Sequence, residues 1–399
     1  MKLFTTLISL TAVFSLCAEK TADHLRSSAL NGDLYAMIRL GDEFFRGKNR
    51  PRNPDLAAFW YRKAALKKLP LGLYKFGVCH EFGIGVKKDI RQAYEYYQAA
   101  GNLGSAQLRL ADMLLSGVHA NSTLGAIPPD KVRALKIMRK LCRANYYPAL
   151  LKLAKTLYAD PLWRKNHASE IYSLTLRSSN ASPTPPEVMV FHAELLQHGI
   201  GVKPDHVYAR ALLELAARAG DPEGMYRFAT ILEAGIGTSP DPAKSFSYFQ
   251  KAAASNHPGA ITRLGEFHLS GNFLEHDPGM AVKYFQKAAE QKFPPALRKL
   301  AWCCENGIGT AKDPVKAFSY YEQSASLGDA EGTYRTGLCF LNGSGVKSDA
   351  VAAVYYFRRG AALGSREAML AFAECLKQGK GCTKDELMAD RIKAAAEKL

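Results

Sequence analysis

The sequence from Ala296 to Glu331 reads ALRKLAWCCENGIGTAKDPVKAFSYYEQSASLGDAE, and the same pattern recurs along most of the chain. Ten copies are recognisable, and the last six begin at intervals of 36 residues. A fixed period of this length predicts a stack of helical repeats, each of which buries its apolar faces on its neighbours. The copies begin at Ala36, Gly72, Ala106, Ala149, Val188, Gly224, Ala260, Ala296, Gly332 and Ala368.

Each copy predicts a helix, a turn and a second helix. With the start of a copy counted as position zero, apolar residues at positions zero, four, seven and eight form one face of a helix. Position eleven is glycine in every copy except the fourth, which has Asp160, and a glycine there ends a helix in the left-handed conformation. In the copy quoted above, Gly307 and Gly309 form the turn, and Asp313-Pro314 opens the second helix as cap and first residue.

Small and large residues are divided between the two helices. Position five is Gly or Ala in all ten copies, as at Gly265 and Ala301, whereas the second helix carries a bulky pair such as Tyr320-Tyr321. Large side chains on one helix that face small ones on another allow antiparallel helices to interlock. We therefore expect position five to be a close contact between helices.

The combined pattern is A-x-x-x-L-G-x-x-x-x-x-G-x-G-x-x-x-D followed by K-A-x-x-Y-Y-x-x-A-A-x-x-G. It resembles the Sel-one-like repeat family, a relative of the tetratricopeptide repeat, over residues 36–399. The resemblance implies an all-α, right-handed α/α solenoid of about ten helix-turn-helix repeats that serves as a protein-interaction scaffold. It does not imply one particular activity.

The first residues of the chain differ from the repeats. Lys2 precedes an uncharged apolar run from Leu3 to Leu16, and small residues follow to Ala18, a pattern typical of a secretory signal peptide. Cleavage after Ala18 predicts an exported protein, periplasmic or secreted. A lipid-modified Cys17 and an uncleaved anchor are the alternatives, and either would allow membrane association.

The net charge of +16 suits acidic proteins, anionic lipid or nucleic acid as partners, but export makes nucleic acid a poor partner.

Four segments are predicted: a signal peptide at 1–18, a half-repeat cap at 19–35, irregular repeats at 36–187 and regular repeats at 188–399. The cap is suggested by Ser28 to Asp33, which mirrors Ser324 to Asp329. The third repeat has an enlarged loop, and the fourth lacks the glycine turn. The proline-rich residues 182–186 form either a hinge between two arrays or part of a tolerated insertion in one continuous stack.

No cofactor or metal site is predicted, because neither H-E-x-x-H nor C-x-x-C occurs. Cysteines recur at position seven and are expected to be small buried apolar residues, although a disulfide between Cys375 and Cys382 is possible. His80 and His268 share position eight and are expected to pack against apolar neighbours. The cysteines at position seven are Cys79, Cys303, Cys339 and Cys375.

An enzyme is the main alternative from another class. The resemblance includes relatives described as binding or cleaving β-lactams, and Ser344 to Lys347 matches the motif S-x-x-K, whose serine is a nucleophile. These residues lie in the turn that ends a helix of the repeat, and the chain contains neither S-D-N nor K-T-G. We therefore predict no catalytic residues.

Position three of the first helix is basic in eight of the ten copies. Around a helix, positions three, six and ten lie away from the apolar face. In tetratricopeptide-like stacks the first helices line the concave side, so these cations, which we call the basic ladder, are expected to form a stripe in the groove. The basic ladder comprises Arg39, Lys75, Arg109, Lys152, Arg227, Arg263, Lys299 and Arg335, and it is flanked at position two by Tyr74, Tyr226 and Tyr334.

Two interpretations of the basic ladder remain open. In the first, acids at position six pair with cations on the same helix and the face is simply solvated. The expected pairs are Arg39 with Asp42, Arg109 with Asp112 and Arg263 with Glu266. In the second, the groove holds an acidic peptide or protein through charge-assisted hydrogen bonds. The cations without an acid at position six of their own helix would then be available, namely Lys75, Lys152, Arg227, Lys299 and Arg335.

We expect an exported scaffold for protein–protein interaction that binds an acidic partner in its concave groove. An envelope hydrolase acting on β-lactams and a structural protein that binds anionic lipid or the envelope are the alternatives. Reversing the charges of Arg227, Lys299 and Arg335 is expected to weaken binding of the partner and to leave the fold intact.

Overall fold

The computed structural model describes residues 24–117 and 128–397, and these residues form helices joined by short turns, with no strand among them. The predicted all-α solenoid is confirmed. Residues 24–30 are helical and precede the first complete repeat. The further helices are α1 Leu34–Arg46, α2 Pro54–Leu66, α3 Pro70–Phe82, α4 Ile90–Ala99, α5 Gly104–Ser116, α6 Lys131–Arg143, α7 Tyr147–Ala159, α8 Pro161–Asn166, α9 Ala168–Ser178, α10 Pro186–His198, α11 His206–Arg218, α12 Pro222–Ala234, α13 Pro242–Ala254, α14 Pro258–Ser270, α15 Pro278–Ala289, α16 Pro294–Asn306, α17 Pro314–Ser326, α18 Ala330–Asn342, α19 Ala350–Ala362, α20 Arg366–Gln378 and α21 Glu386–Ala396.

The glycine turn ends the first helix and also contacts the preceding repeat. Gly307 caps α16 with a φ of 72°, and its N–H donates to the carbonyl of Cys303. Gly309 has a φ of 68°, and a Cβ there would overlap the carbonyl of Pro278, the first residue of the preceding second helix. Only glycine combines this backbone conformation with so close an approach.

The predicted aspartate caps are confirmed and also close the turn. The side chain of Asp313 accepts a hydrogen bond from the N–H of Lys316 at 3.0 Å, as expected for a cap. The N–H of Asp313 donates to the carbonyl of Cys304 at 2.7 Å, which ties the start of α17 to the last turn of α16. Asp349 makes the same bond to Phe340 at 2.9 Å. One residue type therefore fixes both the start and the position of the second helix.

The predicted close contact at position five is confirmed. A Cβ placed on Gly265 would lie 2.6 Å from Cε1 of Phe285, and one on Gly337 would lie 2.5 Å from Cε1 of Phe357. Both phenylalanines are fully buried. Because the ring of the second helix lies directly against the backbone of the first, any larger residue at these glycines must displace it.

The chain divides into two compact units between Ser182 and Pro183. The first unit contains residues 24–30 and α1–α9, and the second contains α10–α21. In the second unit each first helix packs on the second helix of its own repeat, and from α12 onward each also packs on the second helix of the preceding repeat. First helices of successive repeats also touch, as α14 touches α16. These contacts are expected when first helices line the inner side of a stack. The hinge expected at residues 182–186 stays a prediction.

The third and fourth repeats, in the first unit, were expected to be irregular. In the fourth repeat Asp160 does not begin a turn but caps the short helix α8, accepting from the N–H groups of Leu162 and Trp163 at 2.9 and 3.1 Å. The loss of glycine at this position thus adds a helix between α7 and α9. The enlarged loop of the third repeat includes residues 118–127, and the predicted signal peptide occupies residues 1–18; both lie outside the described residues.

The predicted likeness between the N-terminal cap and a repeat end is visible in its hydrogen bonds. The hydroxyl of Ser28 donates to Asp33 at 3.0 Å, and the hydroxyl of Ser324 donates to Asp329 at 2.9 Å. Asp33 then caps α1 as Asp329 caps α18.

Among the described helices, none has the length and apolarity needed to cross a bilayer.

We predict that Gly265→Leu lowers the free energy of unfolding by about 3 kcal/mol, because the added side chain cannot fit between α14 and the ring of Phe285. The exposed change Lys283→Ala on α15 of the same repeat should alter it by less than about 0.5 kcal/mol. Urea midpoints of the two variants test this. Equal shifts would show that position five is not a helix contact.

Candidate interaction surface

The basic ladder lies on the exposed surface of the first helices, but seven of its eight cations form ion pairs. Of the seven that form ion pairs, Lys75 has 26% of its side-chain surface exposed and Arg335 has 45%, and the others fall between. Arg39, in the first repeat, forms no ion pair with the described residues and is exposed. The ladder therefore combines partial burial with partial access to solvent.

Most ladder cations pair with an acid on the first helix of the preceding repeat. Lys75 lies 2.9 Å from Asp42, and Lys299 lies 2.8 Å from Glu266, the residue at position six of the repeat before. The same geometry joins Lys152 to Asp112 at 2.9 Å and Arg227 to Glu194 at 3.0 Å. These ion pairs cross from repeat to repeat and connect the stack along its first-helix surface.

Two further cations use an acid at position nine instead. Arg109 lies 3.6 Å from Glu81, and Arg263 lies 2.5 Å from Glu233. Position nine is one helical turn beyond position six, so a long arginine reaches either one. The sequence interpretation missed Glu81, Glu233 and Glu194. The signal that would have found them is an acid at position six or nine in the copy that precedes each basic position three.

The predicted pairs within single helices are mostly wrong. Asp42 and Asp112 point to the next repeat rather than to Arg39 and Arg109, because the neighbouring first helix brings a lysine within 3 Å. Arg263 does pair with Glu266, as predicted, while also reaching Glu233.

The five cations expected to be available are all paired. Lys75, Lys152 and Lys299 pair only across repeats, as described above. Arg227 pairs both across the repeats and with Glu223 of its own helix. Arg335 pairs with Glu331 of its own helix at 2.8 Å. The expectation that charge reversal leaves the fold intact stays a prediction, although a new glutamate at these positions would face an existing carboxylate.

Tyrosines of the second helices hold several of the same acids. The hydroxyl of Tyr61 donates to Asp42 at 2.6 Å, that of Tyr97 to Glu81 at 2.5 Å and that of Tyr321 to Glu305 at 3.0 Å. Burial, together with the nearby carboxylate, raises the pKa of each of these tyrosines well above its usual value. Asp42 and Glu81 thus receive one bond from the second helix and one cation from the next repeat.

The tyrosines expected to flank the ladder are partly buried. The ring centroid of Tyr226 lies 5.9 Å from that of Phe249, and Tyr334 lies 6.0 Å from Phe357. Tyr74 has the same relation to Tyr97 at 5.9 Å. These rings pack against the large residue of the second helix, so only part of each ring faces the first-helix surface.

Glu223 is bound by both a histidine and an arginine. In the neutral ring of His257, Nδ1 accepts from the N–H of Ala260 at 3.2 Å, so the proton lies on Nε2, which donates to Glu223 at 2.9 Å. Arg227 also bonds to Glu223, and the imidazole stacks on Tyr226 at 4.6 Å. The hydrogen bond from His257, helped by Arg227, lowers the pKa of Glu223 to about 2.

The cysteines and histidines singled out in the sequence are buried or packed against neighbouring side chains. Every cysteine at position seven is buried, as predicted, and the thiols of Cys375 and Cys382 are free. His268 stacks on Tyr284 with centroids 5.4 Å apart, as expected for a packing histidine, and His80 stacks on Tyr96 in the same way.

The S-x-x-K motif lies in the helix-ending turn, as expected. The N–H of Ser344 donates to Cys339 as part of the turn after α18, and Lys347 is exposed. The described residues contain no cluster of three His, Cys, Asp or Glu side chains with the geometry of a metal site.

The described residues define an all-α repeat protein whose exposed first-helix surface is organised by ion pairs between repeats. A family model described as Sel1 repeat matches nine segments and leaves out residues 147–185, where α8 interrupts the pattern. The chain belongs to the Sel1 repeat family, whose members generally act as scaffolds for protein–protein interaction. The matched segments are residues 34–69, 70–105, 104–146, 186–221, 222–257, 258–293, 294–329, 330–365 and 366–389.

The chain is also similar to individual proteins. An uncharacterized protein of Neisseria meningitidis serogroup B is 25% identical over 204 residues, which are 51% of this chain and 40% of that protein. A protective antigen of uropathogenic Escherichia coli that displays an SLR fold has a TM-score of 0.51 and 23% identity, covering 94% of this chain and 82% of that one. A Sel1 repeat protein of Oxalobacter formigenes has a TM-score of 0.50 and 23% identity, and the match covers 61% of this chain and 96% of that one. These two structures support the fold alone.

We predict that Lys152→Asp lowers the free energy of unfolding by about 1 kcal/mol, because two carboxylates then meet between α5 and α7. Combining it with Asp112→Lys should recover stability to within about 0.5 kcal/mol of the parent, since the ion pair is rebuilt in the opposite direction. Urea midpoints of the parent, both single variants and the double variant measure the coupling. Simple addition of the two single losses would contradict an ion pair between these repeats.

We also predict a pH-dependent effect of Glu223→Gln. Because the folded-state pKa of Glu223 lies below its usual value, its contribution to stability is present above pH 4.5 and is lost as the pH falls towards about 2. The difference in urea midpoint between parent and variant should therefore be largest near neutral pH and shrink progressively below about pH 5. Glu290→Gln, at an exposed residue of the next repeat, is the control. A difference that does not change with pH would contradict this assignment.

Proposed function

We propose that this chain is an exported scaffold whose first-helix surface holds an acidic peptide or protein. The observation that carries the proposal is that the basic ladder is preorganised and still partly exposed. Each paired cation is fixed by a carboxylate of its own or the preceding repeat, yet between 26% and 45% of its side-chain surface faces solvent. Fixing a long side chain in advance reduces the entropy lost when a partner binds it.

The chemistry of the cations suits this role. A guanidinium carries five N–H donors and an ammonium carries three, and the ion pairs within the stack use only some of them. The remaining donors are available to carboxylates of a partner. Because the cations recur once per repeat, an extended acidic segment could contact several of them, and several weak contacts on one chain reinforce one another.

Export is part of the proposal and is supported by residues 1–18. The apolar run after Lys2 and the small residues that end at Ala18 are typical of a signal peptide. We place the mature protein in the periplasm or outside the cell. An enzymatic role as an envelope hydrolase is disfavoured because the candidate Ser344 lies in a turn that recurs in the other repeats, where it ends a helix.

The test uses three neutral substitutions, Arg227→Gln, Lys299→Gln and Arg335→Gln, made together. Glutamine removes the positive charge without placing a carboxylate against Glu194 or Glu266. Affinity for the partner recovered by pull-down from the native envelope should fall by about 10- to 100-fold, because charge-assisted hydrogen bonds are lost at three sites. Binding by the parent should also weaken as salt rises.

The control carries glutamine at Lys244, Lys283 and Lys316 on the second helices, which gives the same change in net charge. Isothermal titration of both variants separates a specific surface from overall charge: equal losses, or no loss in either, would contradict a role for the ladder. The intact mass of the protein from the envelope tests export, since a chain that retains Met1 would contradict cleavage near Glu19.

A further inference from the structure

The outer side of the third repeat has a charge distribution unlike that of the other repeats. Helix α6, from Lys131 to Arg143, contains six cations and no carboxylate. The other second helices, counted over their helical residues, carry net charges between 0 and +2. A concentration of charge of one sign on one helix is unfavourable for the isolated fold, because like charges one turn apart repel each other.

The cations of α6 lie opposite its buried side. Ala134, Met138, Leu141 and Cys142 face the core. Arg133, Lys136, Lys140 and Arg143 are exposed, and their spacing places them on one face of about 80° around the helix axis. We call these four residues the outer basic face.

The outer basic face lacks the compensation found along the basic ladder. Arg139, beside it, is neutralised by Glu170 at 3.0 Å. The guanidinium of Arg133 donates to the hydroxyl of Tyr94 at 3.5 Å, and Lys140 donates to the amide oxygen of Asn102 at 3.1 Å. The carboxylate of Asp130 accepts from the backbone N–H of Arg133 at 2.8 Å, as the cap of α6. Among the described residues, none of the four cations of the outer basic face has a carboxylate within ion-pair distance.

Exposed aliphatic side chains lie at one end of this face. Val132, on the first turn of α6, is 79% exposed, and Leu162 of α8 is 65% exposed. The first turns of α6 and α8 approach each other through side chains, since the ammonium of Lys131 lies 5.4 Å from the ring centre of Trp163. Apolar side chains beside solvated lysines and arginines match a surface that offers anionic groups above an apolar layer.

We propose that the outer basic face, with Val132 and Leu162, binds the surface of a bilayer that contains anionic phospholipids. The lipid phosphates would supply the counter-charges that the fold withholds from these four cations, and the two aliphatic side chains would enter the boundary between headgroups and acyl chains. The four cations of this surface belong to the second helix α6, so the inference is independent of a partner held by the basic ladder on the first helices.

The experiment is sedimentation of the purified full chain with vesicles of phosphatidylcholine, with and without phosphatidylglycerol. The parent should bind only the anionic vesicles, and binding should weaken as salt rises. Lys136→Gln, Lys140→Gln and Arg143→Gln together should reduce the partition coefficient by about 100-fold, at roughly five-fold for each cation. Lys136→Gln alone should reduce it by about five-fold.

The matched control carries glutamine at Lys251, Lys283 and Lys287, which are exposed on α13 and α15, and should change the partition coefficient by less than about two-fold. Val132→Ser with Leu162→Ser should reduce the part of the binding that persists at high salt. Thermal unfolding of the α6 triple variant should not occur at a lower temperature than that of the parent, because repulsion is relieved.

Failure of the parent to bind anionic vesicles would overturn the proposal, and so would equal losses in the two triple variants. A parallel titration with polyglutamate identifies the alternative. Binding of polyglutamate that is lost in the α6 triple variant, without binding of vesicles, would assign the outer basic face to an acidic protein and reject the membrane surface.

Discussion

The contact between the small residue at position five and the large ring of the second helix is the constraint on which each repeat depends. With glycine at 265, the ring of Phe285 lies against the backbone of α14, and the two helices pack closely. The short turn is possible only because the helices are so near, since Asp277 must reach the carbonyl of His268 with its N–H while its side chain caps α15. A larger residue at position five would therefore disturb the packing, the turn and the cap together.

The electrostatics of the first-helix surface follow from this close spacing. When successive first helices touch, position three of one repeat comes within reach of positions six and nine of the repeat before, and a cation there meets an acid. The last repeat, which lacks a cation at position three, fits this relation. Ala371 replaces the cation, and Leu338 and Leu341 occupy the acidic positions of the preceding repeat, so apolar packing replaces the ion pair. Cation and acid are thus present or absent together.

The sequence was sufficient for everything that repeats within one copy. The two helices of each copy, the left-handed glycine at Gly307, the cap at Asp313 and the small residue at position five each depend on local preference and on a period that ten copies reinforce. The partners of the basic ladder were not predictable in the same way, because an acid three residues along a helix and an acid in the neighbouring repeat are equally plausible until the helix spacing is known. Helix α8 was missed because a single copy lacks the glycine, so no period identified what replaced it.

The distinction between compensated and uncompensated charge is the most useful guide to function in this chain. A cation such as Lys299, held 2.8 Å from Glu266, contributes to the stack before any partner arrives, so its presence alone is weak evidence for binding. The outer basic face of α6 contributes nothing comparable, since the exposed Lys136 and Arg143 have no carboxylate nearby in the described structure and repel their neighbours. The described fold gains no ion pair from this face. Its charges are therefore better explained by an anionic surface outside the molecule than by packing within it.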